Sequence, residues 1–339
     1  MDNFTSKQAS KQASNYNSID FIKFLMAFCV IAIHTNPLIN CDSRLVLSIY
    51  DSVVELAVPF FFIVSGFLMA KKFDGKNNTA IIYKQMKKIL KMYLLWNLIY
   101  SPLEIYHSMS SGIPLVKEVF FYIRDFIFVG QHYNSWPLWY LLSSVYGFVL
   151  IYILTIKQTS TLNMFLISLG IMFISFGFDS IVAIEGLSGI LYAIQRIIRI
   201  SIANGRILQG LFFIPLGLIL AKKELKLSYA MVLFVFGFLG NCLFNGFWGS
   251  FFLVICSVGL FRMILSVRLS YRTTWIGLRK ASTIIYLIHM YIWTFYYTVL
   301  YGEKTYGIDS FLFTSLISLL GATIFLFLRH SRIQEYIKV

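Results

Sequence analysis

The sequence predicts an all-α, polytopic integral membrane protein with about ten transmembrane helices and both termini in the cytoplasm. Of its 339 residues, 58% are hydrophobic and only 13% are charged, against roughly 25% charged in soluble domains. Apolar stretches of about 17 to 25 residues, the length that crosses a hydrocarbon core, recur along the whole chain. We therefore expect one membrane domain and not a globular domain with an anchor.

Ten apolar segments are long enough to cross the membrane, and polar or basic connections separate them. The predicted spans are 19–38, 45–70, 89–106, 136–156, 161–178, 206–221, 228–245, 247–265, 281–301 and 309–328. Residues 113–133 carry charges among aromatics and predict an amphipathic helix at the membrane interface. The chain should thus consist of a disordered cytoplasmic tail (1–18), a membrane domain (19–330) and a second cytoplasmic tail (331–339).

The basic residues give the orientation. The net charge of +14 would suggest a nucleic-acid partner in a soluble protein, but these residues lie almost entirely between the apolar runs. With the N-terminus inside, 21 of the 29 Lys and Arg residues fall on the cytoplasmic side. Cytoplasmic loops are enriched in Lys and Arg. We expect a cell-membrane protein in contact with lipid and no nucleic-acid partner.

The first span contains two ionisable residues, Lys23 and His34, which lie eleven residues apart. On an α-helix they share one face about 16 Å apart. Lys23 can extend to the cytoplasmic interface, and His34 can cap the outer end next to Pro37. Because an imidazole titrates near neutral pH, we favour a role in proton exchange for His34.

The second span places Glu55 among apolar residues and Pro59 in mid-helix. Proline should kink this helix and free backbone carbonyls near the kink. Two interpretations of Glu55 stay open. The carboxylate either pairs with a Lys or Arg of another helix, or it has a functional role, in which it orients His34 or serves as a second base.

A basic segment follows the second span. Its four lysines, which fall on one helical face at the cytoplasmic surface, are Lys84, Lys87, Lys88 and Lys91. Attraction to anionic lipid explains some of them. The sharper interpretation is a site for a phosphorylated cytosolic ligand, because cations at a helix entrance suit phosphates.

Further polar and aromatic candidates lie in the later spans and the outer loops. His289, near the middle of the ninth span, is either a core histidine bonded to a tyrosine or a substrate contact. Arg206 opens the sixth span and should line a polar cavity, because arginine facing lipid is costly. Trp136 and Trp139 could stack on sugars, although aromatic residues also gather at membrane interfaces.

Together these residues resemble the membrane acyltransferase family 3. The family's first-helix signature, Arg or Lys followed by ten residues and His, is met by Lys23 and His34, and Asp20 precedes it. The family's basic motif, two arginines followed by two residues and a third arginine, resembles Lys87-Lys88-Ile-Leu-Lys91, in which all three basic residues are lysine. The other similar blocks are 58–67 in the second span, 136–141 at the fourth and 286–289 in the ninth.

The resemblance implies a ten-helix protein that transfers an acyl group, expected to be acetyl, from cytosolic acyl-coenzyme A to an extracytoplasmic glycan or cell-envelope acceptor. His34 would be the general base or carry the acyl group itself, with Lys23 and Glu55 as further catalytic residues. The coenzyme A phosphates would meet Lys87, Lys88 and Lys91, and the acceptor would meet Arg206, Trp136, Trp139 and His289. No metal is implied.

A second resemblance keeps another class of function open. The membrane domain of vancomycin-resistance serine racemases is similar to the same family, and residues 33–38 and 57–62 look like its helix blocks. That domain is associated with serine uptake and not with acyl transfer. The alternative is therefore a membrane transporter or binding module for a small molecule such as serine.

Overall fold

The computed structural model describes residues 16–337 except 76, 271, 303 and 304. The described residues are 83% helical and contain no strand. The sequence therefore predicts the fold class correctly. Most of the tail predicted for residues 1–18 lies outside the described residues, and the first helix starts within its last two positions, at Asn17.

Thirteen α-helices occur in the described residues. In chain order they are α1 (Asn17–Thr35), α2 (Arg44–Val54), α3 (Ala57–Ala70), α4 (Asn78–Ser111), α5 (Leu115–Arg124), α6 (Leu138–Ile156), α7 (Thr161–Ala183), α8 (Gly189–Ile202), α9 (Gln209–Lys222), α10 (Leu227–Leu243), α11 (Gly246–Ser266), α12 (Thr273–Phe295) and α13 (Ile308–Ile337). A π-helical turn follows α5 at Asp125–Val129, and another follows α12 at Tyr296–Leu300. A 3₁₀ turn connects α8 to α9 at Ala203–Leu208.

Seven helical segments among the described residues are long and apolar enough to cross a membrane. They are Asn17–Thr35, Arg44–Ala70, Leu138–Ile156, Thr161–Ala183, Gly246–Ser266, Thr273–Leu300 and Ile308–Leu328. The other three predicted spans fall on α4, which has 34 residues, on α9, which has 14, and on α10, which has 17. The chain is thus a multi-pass membrane protein, and the count of ten stays a prediction.

The helix is interrupted close to Pro59, where the sequence predicts a kink. Helix α2 ends at Val54 and α3 starts at Ala57, so the helix is interrupted at Glu55 and Leu56. The break lies four residues before Pro59, where the ring of a proline clashes with a backbone carbonyl. The sequence thus places Glu55 at a helix end instead of in a continuous span.

The amphipathic segment predicted over residues 113–133 forms the short helix α5 and the π-helical turn that continues it. Its place at the membrane interface stays a prediction. At the other end of the chain, α13 continues to Ile337. The helix therefore runs through most of the tail predicted for residues 331–339, whose last two residues lie outside the described part.

The described residues divide into two compact units. Unit 1 contains residues 16–57, 225–242 and 255–337. In it, α12 packs against α1 and α13. The contact is built on three alanines and two isoleucines, namely Ala27, Ala281, Ala322, Ile31 and Ile285. Small side chains let membrane helices approach closely, so this three-helix contact holds α1 and α12 in register.

Unit 2 contains residues 58–224 and 243–254. Its central helix α6 packs against α4 and α9. The crossing of α6 and α9 depends on Gly210, where an added Cβ would overlap the backbone carbonyl of Ser143. The Ser143 hydroxyl accepts from the Gly210 N–H at 2.9 Å and donates to the Ile207 carbonyl at 2.8 Å. Backbone contact and side-chain hydrogen bonds therefore coincide at one point.

We expect Gly210→Ala to destabilise the protein by about 1–3 kcal/mol, because the methyl group overpacks a backbone contact. Thermal unfolding of the purified protein in one detergent measures the change. Gly170→Ala is the matched control, since nothing lies within 4 Å of a Cβ at that helical position. Equal melting temperatures for Gly210→Ala and the unmodified protein would contradict the proposed role of this crossing.

Candidate functional site

His34 lies in the last turn of α1. The helix stops two residues later because Asn36 adopts a left-handed conformation with φ of 39°, and its N–H donates to the Ala32 carbonyl. The same carbonyl accepts a 2.8 Å hydrogen bond from the Tyr50 hydroxyl of α2. His34 is half-buried and is therefore presented on a helix end that a neighbouring helix holds in place.

The structure brings His34 and His289 together. Their rings stack with centroids 5.4 Å apart and planes inclined by 20°. His289 is completely buried, and its Nδ1 lies 2.7 Å from the Tyr286 carbonyl. A carbonyl can only accept, so Nδ1 carries the proton. One interpretation of the sequence was a core histidine bonded to a tyrosine. The bond is made to a tyrosine residue, but to the backbone carbonyl of Tyr286.

The other ring nitrogen of His289, Nε2, has no hydrogen-bond partner among the described residues. A buried polar atom without a partner costs about 1–3 kcal/mol. In the neutral ring this nitrogen carries a lone pair, and the O–H group of a ligand would satisfy it. The site therefore offers the half-buried imidazole of His34 and, next to it, the buried hydrogen-bond acceptor Nε2 of His289.

The other predicted catalytic residues also lie in unit 1. Lys23 is half-buried and interacts electrostatically with Asp20, which accepts a 3.4 Å hydrogen bond from Arg279 of α12. Glu55 is exposed at the break between α2 and α3, and the Asn241 amide of α10 donates to it at 3.3 Å. The roles of Lys23 and Glu55 in catalysis stay predictions.

A stripe of hydroxyl groups runs along α13, which packs against the helix of His289. Ser310, Thr314 and Ser318 recur at intervals of four and are completely buried. The hydroxyls of Thr314 and Ser318 have no hydrogen-bond partner among the described residues. Such inward-facing polar groups in a membrane helix either join helices or line a path for a polar ligand.

The lysine face predicted for α4 is present in unit 2. Lys87, Lys88 and Lys91 are exposed, and the Lys87 ammonium lies 6.0 Å from the centre of the Tyr83 ring. The opposite face of the helix is buried and consists of Ile82, Ile89 and Tyr93. The helix therefore turns its apolar side to the protein and leaves three cations accessible to a ligand.

Two of the predicted substrate-binding residues meet in unit 2. The Arg206 guanidinium lies 5.4 Å from the centre of the Trp139 ring, within range of a cation–π interaction. The same guanidinium donates to the Gln131 side chain at 3.5 Å. Trp139 is buried and Trp136 is half-buried. The predicted cavity residue Arg206 thus lies at the aromatic start of α6.

A charged cluster that was not predicted from the sequence lies on α5 and the loop that follows it. His132 lies between two carboxylates, with Nδ1 2.8 Å from Asp125 and Nε2 3.3 Å from Glu118. Arg124 donates to Asp125 from Nε at 2.7 Å and also from Nη2. Glu118, Asp125 and His132 follow one another at intervals of seven, which places the first two on one helical face. That spacing was the available signal.

The Asp125 carboxylate, through its hydrogen bond and its charge, raises the pKa of His132 above the usual range, and Glu104 and Glu118 act in the same direction. Partial burial opposes this shift without cancelling it. The ring edge also faces Tyr122, at 5.7 Å between centroids. His132 therefore lies between two carboxylates that favour its charged form.

A pocket of about 380 Å³ opens beside this cluster. It is lined by Arg124, Asp125, Val129, Gln131, His132, Tyr133, Arg199 and Ile200. Its size falls within the range of small-molecule pockets, roughly 300–1,000 Å³. In the part of the chain that the structure describes, no group of three or more His, Cys, Asp or Glu residues is arranged to hold a metal ion.

A family model described as an acyltransferase domain, family 3, matches residues 16–328. The chain belongs to this family. The match covers α1 to most of α13 and hence both histidines, the lysine face and the charged cluster. The family resemblance read from Lys23 and His34 is confirmed. No solved structure matches the chain.

Curated relatives of this acyltransferase family member are racemases. An amino-acid racemase of Enterococcus faecalis is 27% identical over 243 residues, which is 66% of this chain and 31% of that protein. A second amino-acid racemase from the same organism is 32% identical over 141 residues, which is 41% of this chain and 19% of that protein. A serine/alanine racemase of Enterococcus gallinarum is 27% identical over 290 residues, or 80% and 40%. The chain thus spans at most 40% of these relatives' length.

We expect the His132 link to stabilise the acyltransferase domain in a pH-dependent way. The pKa of His132 is raised on folding. The stabilisation by His132 is therefore complete below a pH of about 6.5, which is the pKa of histidine in the unfolded chain. It is lost as the pH rises through the pKa of His132 in the folded protein. Melting temperatures of the unmodified protein and His132→Gln, measured from pH 6 to pH 9, should converge as the pH rises. A constant difference over that range would contradict the charged link.

Proposed function

We propose that this protein is a membrane O-acyltransferase that moves an acyl group, expected to be acetyl, from cytosolic acyl-coenzyme A to a hydroxyl of an extracytoplasmic glycan or cell-envelope acceptor. The observation that carries the proposal is the stacked pair of His34 and His289 in a chain of this family. It places a half-buried imidazole next to an unsatisfied buried acceptor atom.

His34 is the proposed general base. It takes the proton of the acceptor hydroxyl while the oxygen attacks the thioester carbonyl of the donor, and the carbon–sulfur bond then breaks. The proton leaves with the coenzyme A thiol, so the imidazole is regenerated. Such proton transfer by a positioned histidine contributes about 10² to 10⁴ to the rate.

His289 is the proposed acceptor contact. Its Nδ1 is committed to the Tyr286 carbonyl, so Nε2 can accept a hydrogen bond from a second hydroxyl of the acceptor and thereby hold the reacting hydroxyl beside His34. Lys23, about three turns away on the same helix, would line the path of the donor's arm. Glu55, held by Asn241, would orient the base.

The lysine face is the proposed docking site for the donor. Coenzyme A carries phosphates, and Lys87, Lys88 and Lys91 are exposed together on one face of α4. Lysine lacks the bidentate fork of arginine, so the contacts would be electrostatic more than geometric. On the acceptor side, Arg206 with Trp136 and Trp139 offers a cation and rings on which a sugar could stack.

Replacing His34 by Ala should lower acyl transfer at least about 100-fold, because the reaction loses its base. The measurement is incorporation of radiolabelled acetyl from acetyl-coenzyme A into cell-envelope glycan by the purified protein in lipid vesicles. His330→Ala is the control, since it removes a histidine beyond the last predicted span. Undiminished incorporation by His34→Ala would rule out His34 as base and as acyl carrier.

Replacing Lys87, Lys88 and Lys91 by Gln should raise the KM for acetyl-coenzyme A at least about tenfold, because charge-assisted bonds to phosphate are lost. The KM for acetyl-pantetheine, which lacks those phosphates, should not change. The exposed set Lys222, Lys223 and Lys226, replaced by Gln, is the matched control. An equal rise for both donors would place the donor's phosphates elsewhere.

A second candidate function is transport or binding of a small amino acid such as serine. It is favoured by the likeness to a serine/alanine racemase over 80% of this chain and by the buried hydroxyl stripe of α13. Uptake of radiolabelled serine into proteoliposomes distinguishes the two functions. Saturable uptake that persists in the triple lysine variant, without thiol release from acetyl-coenzyme A, would replace the acyltransferase proposal.

A further inference from the structure

The pocket beside His132 has its hydrogen-bond acceptors occupied from within. Asp125 uses one carboxylate oxygen for Arg124 and the other for His132. The Gln131 side-chain oxygen accepts from Arg206. Both nitrogens of His132 face carboxylates. A ligand in this pocket therefore meets few acceptors that are still available.

Hydrogen-bond donors, in contrast, remain available in the same pocket. Arg124 spends Nε and Nη2 on Asp125, which leaves Nη1 without an acceptor among the described residues. Arg199 makes one hydrogen bond, from Nη2 to the Val182 carbonyl at 3.2 Å. The amide N–H groups of Gln131 likewise lack an acceptor in the described part of the chain. Three side chains thus line one cavity with uncommitted donors.

The acidic and basic side chains around the pocket differ in their exposure. Glu104 from α4 and Glu118 from α5 act on His132, whereas Arg124 from α5, Asp125 from the π-helical turn and Arg199 from α8 line the pocket. Glu104, Glu118 and Asp125 are buried, with at most 7% of their surface exposed. Arg199 is exposed. The positive groups are therefore the accessible ones.

We propose that this pocket is an oxyanion-binding site, which takes a phosphoryl or carboxylate group of a ligand through Arg124, Arg199 and Gln131. Guanidinium groups bind such oxyanions with two parallel N–H donors. A volume of about 380 Å³ exceeds that of the anion alone and admits a sugar-sized group that carries it. The site lies in the connections that we predict to be extracytoplasmic, and it does not depend on the proposed acyl transfer.

The test uses calorimetry to measure the binding of inorganic phosphate to the purified protein in phosphatidylcholine nanodiscs, without any acyl donor. Arg199→Gln should weaken binding about tenfold, the loss of one charge-assisted hydrogen bond. Arg196→Gln is the matched control, because Arg196 lies one turn earlier on α8, is exposed and does not line the pocket. Its affinity should stay within about twofold.

A second arm identifies the source of the anion. If phosphate does not bind, the same proteins are compared in nanodiscs containing phosphatidylglycerol. Stabilisation of the unmodified protein and of Arg196→Gln, but not of Arg199→Gln, assigns the site to a lipid headgroup. Melting of Arg199→Gln in phosphate-free buffer shows whether the variant is folded. Equal behaviour of the two arginine variants in both arms overturns the proposal, and the acyl-transfer assays are unaffected by that result.

Discussion

The bilayer supplies no water, so polar groups inside it must find partners within the chain. Many Ser and Thr side chains of the described residues follow this constraint by donating to a backbone carbonyl one helical turn away, as Thr35 and Thr294 do. Charges meet across helices, as Asp20 and Arg279 do. The unpartnered Nε2 of His289 departs from this pattern, as do the buried hydroxyls of Thr314 and Ser318. The constraint that shapes the helices thus also marks the atoms that a bound polar ligand would satisfy.

Much of the fold could be predicted because the same constraint leaves a direct trace in the sequence. The lengths of the apolar runs gave the helices, and Pro59 gave the interruption at Glu55. The spacing of Lys87, Lys88 and Lys91 gave the exposed face of α4. The number of membrane crossings was harder to predict. Helix α9 has only 14 residues, and the sequence of so short an apolar helix does not decide whether it crosses the membrane.

The pairing of side chains could not be predicted in the same way. His34 and His289 were both singled out, but their contact depends on the alanine-mediated packing of α1 against α12, which links distant parts of the sequence. Glu118 and Asp125 share a helical face by spacing alone. That His132 returns between them depends on the π-helical turn and the loop after it. Such turns often occur at functional sites.

The hydrogen bond from His289 Nδ1 to the Tyr286 carbonyl restricts how protons can move. A histidine relays a proton when one ring nitrogen receives it while the other releases it. Here one nitrogen is held by the backbone of its own helix, so a proton that arrives at Nε2 must leave from Nε2. His289 can therefore hold a hydroxyl but cannot pass its proton onward along α12. In the proposed reaction the proton of the acceptor hydroxyl therefore passes through His34, in the last turn of α1.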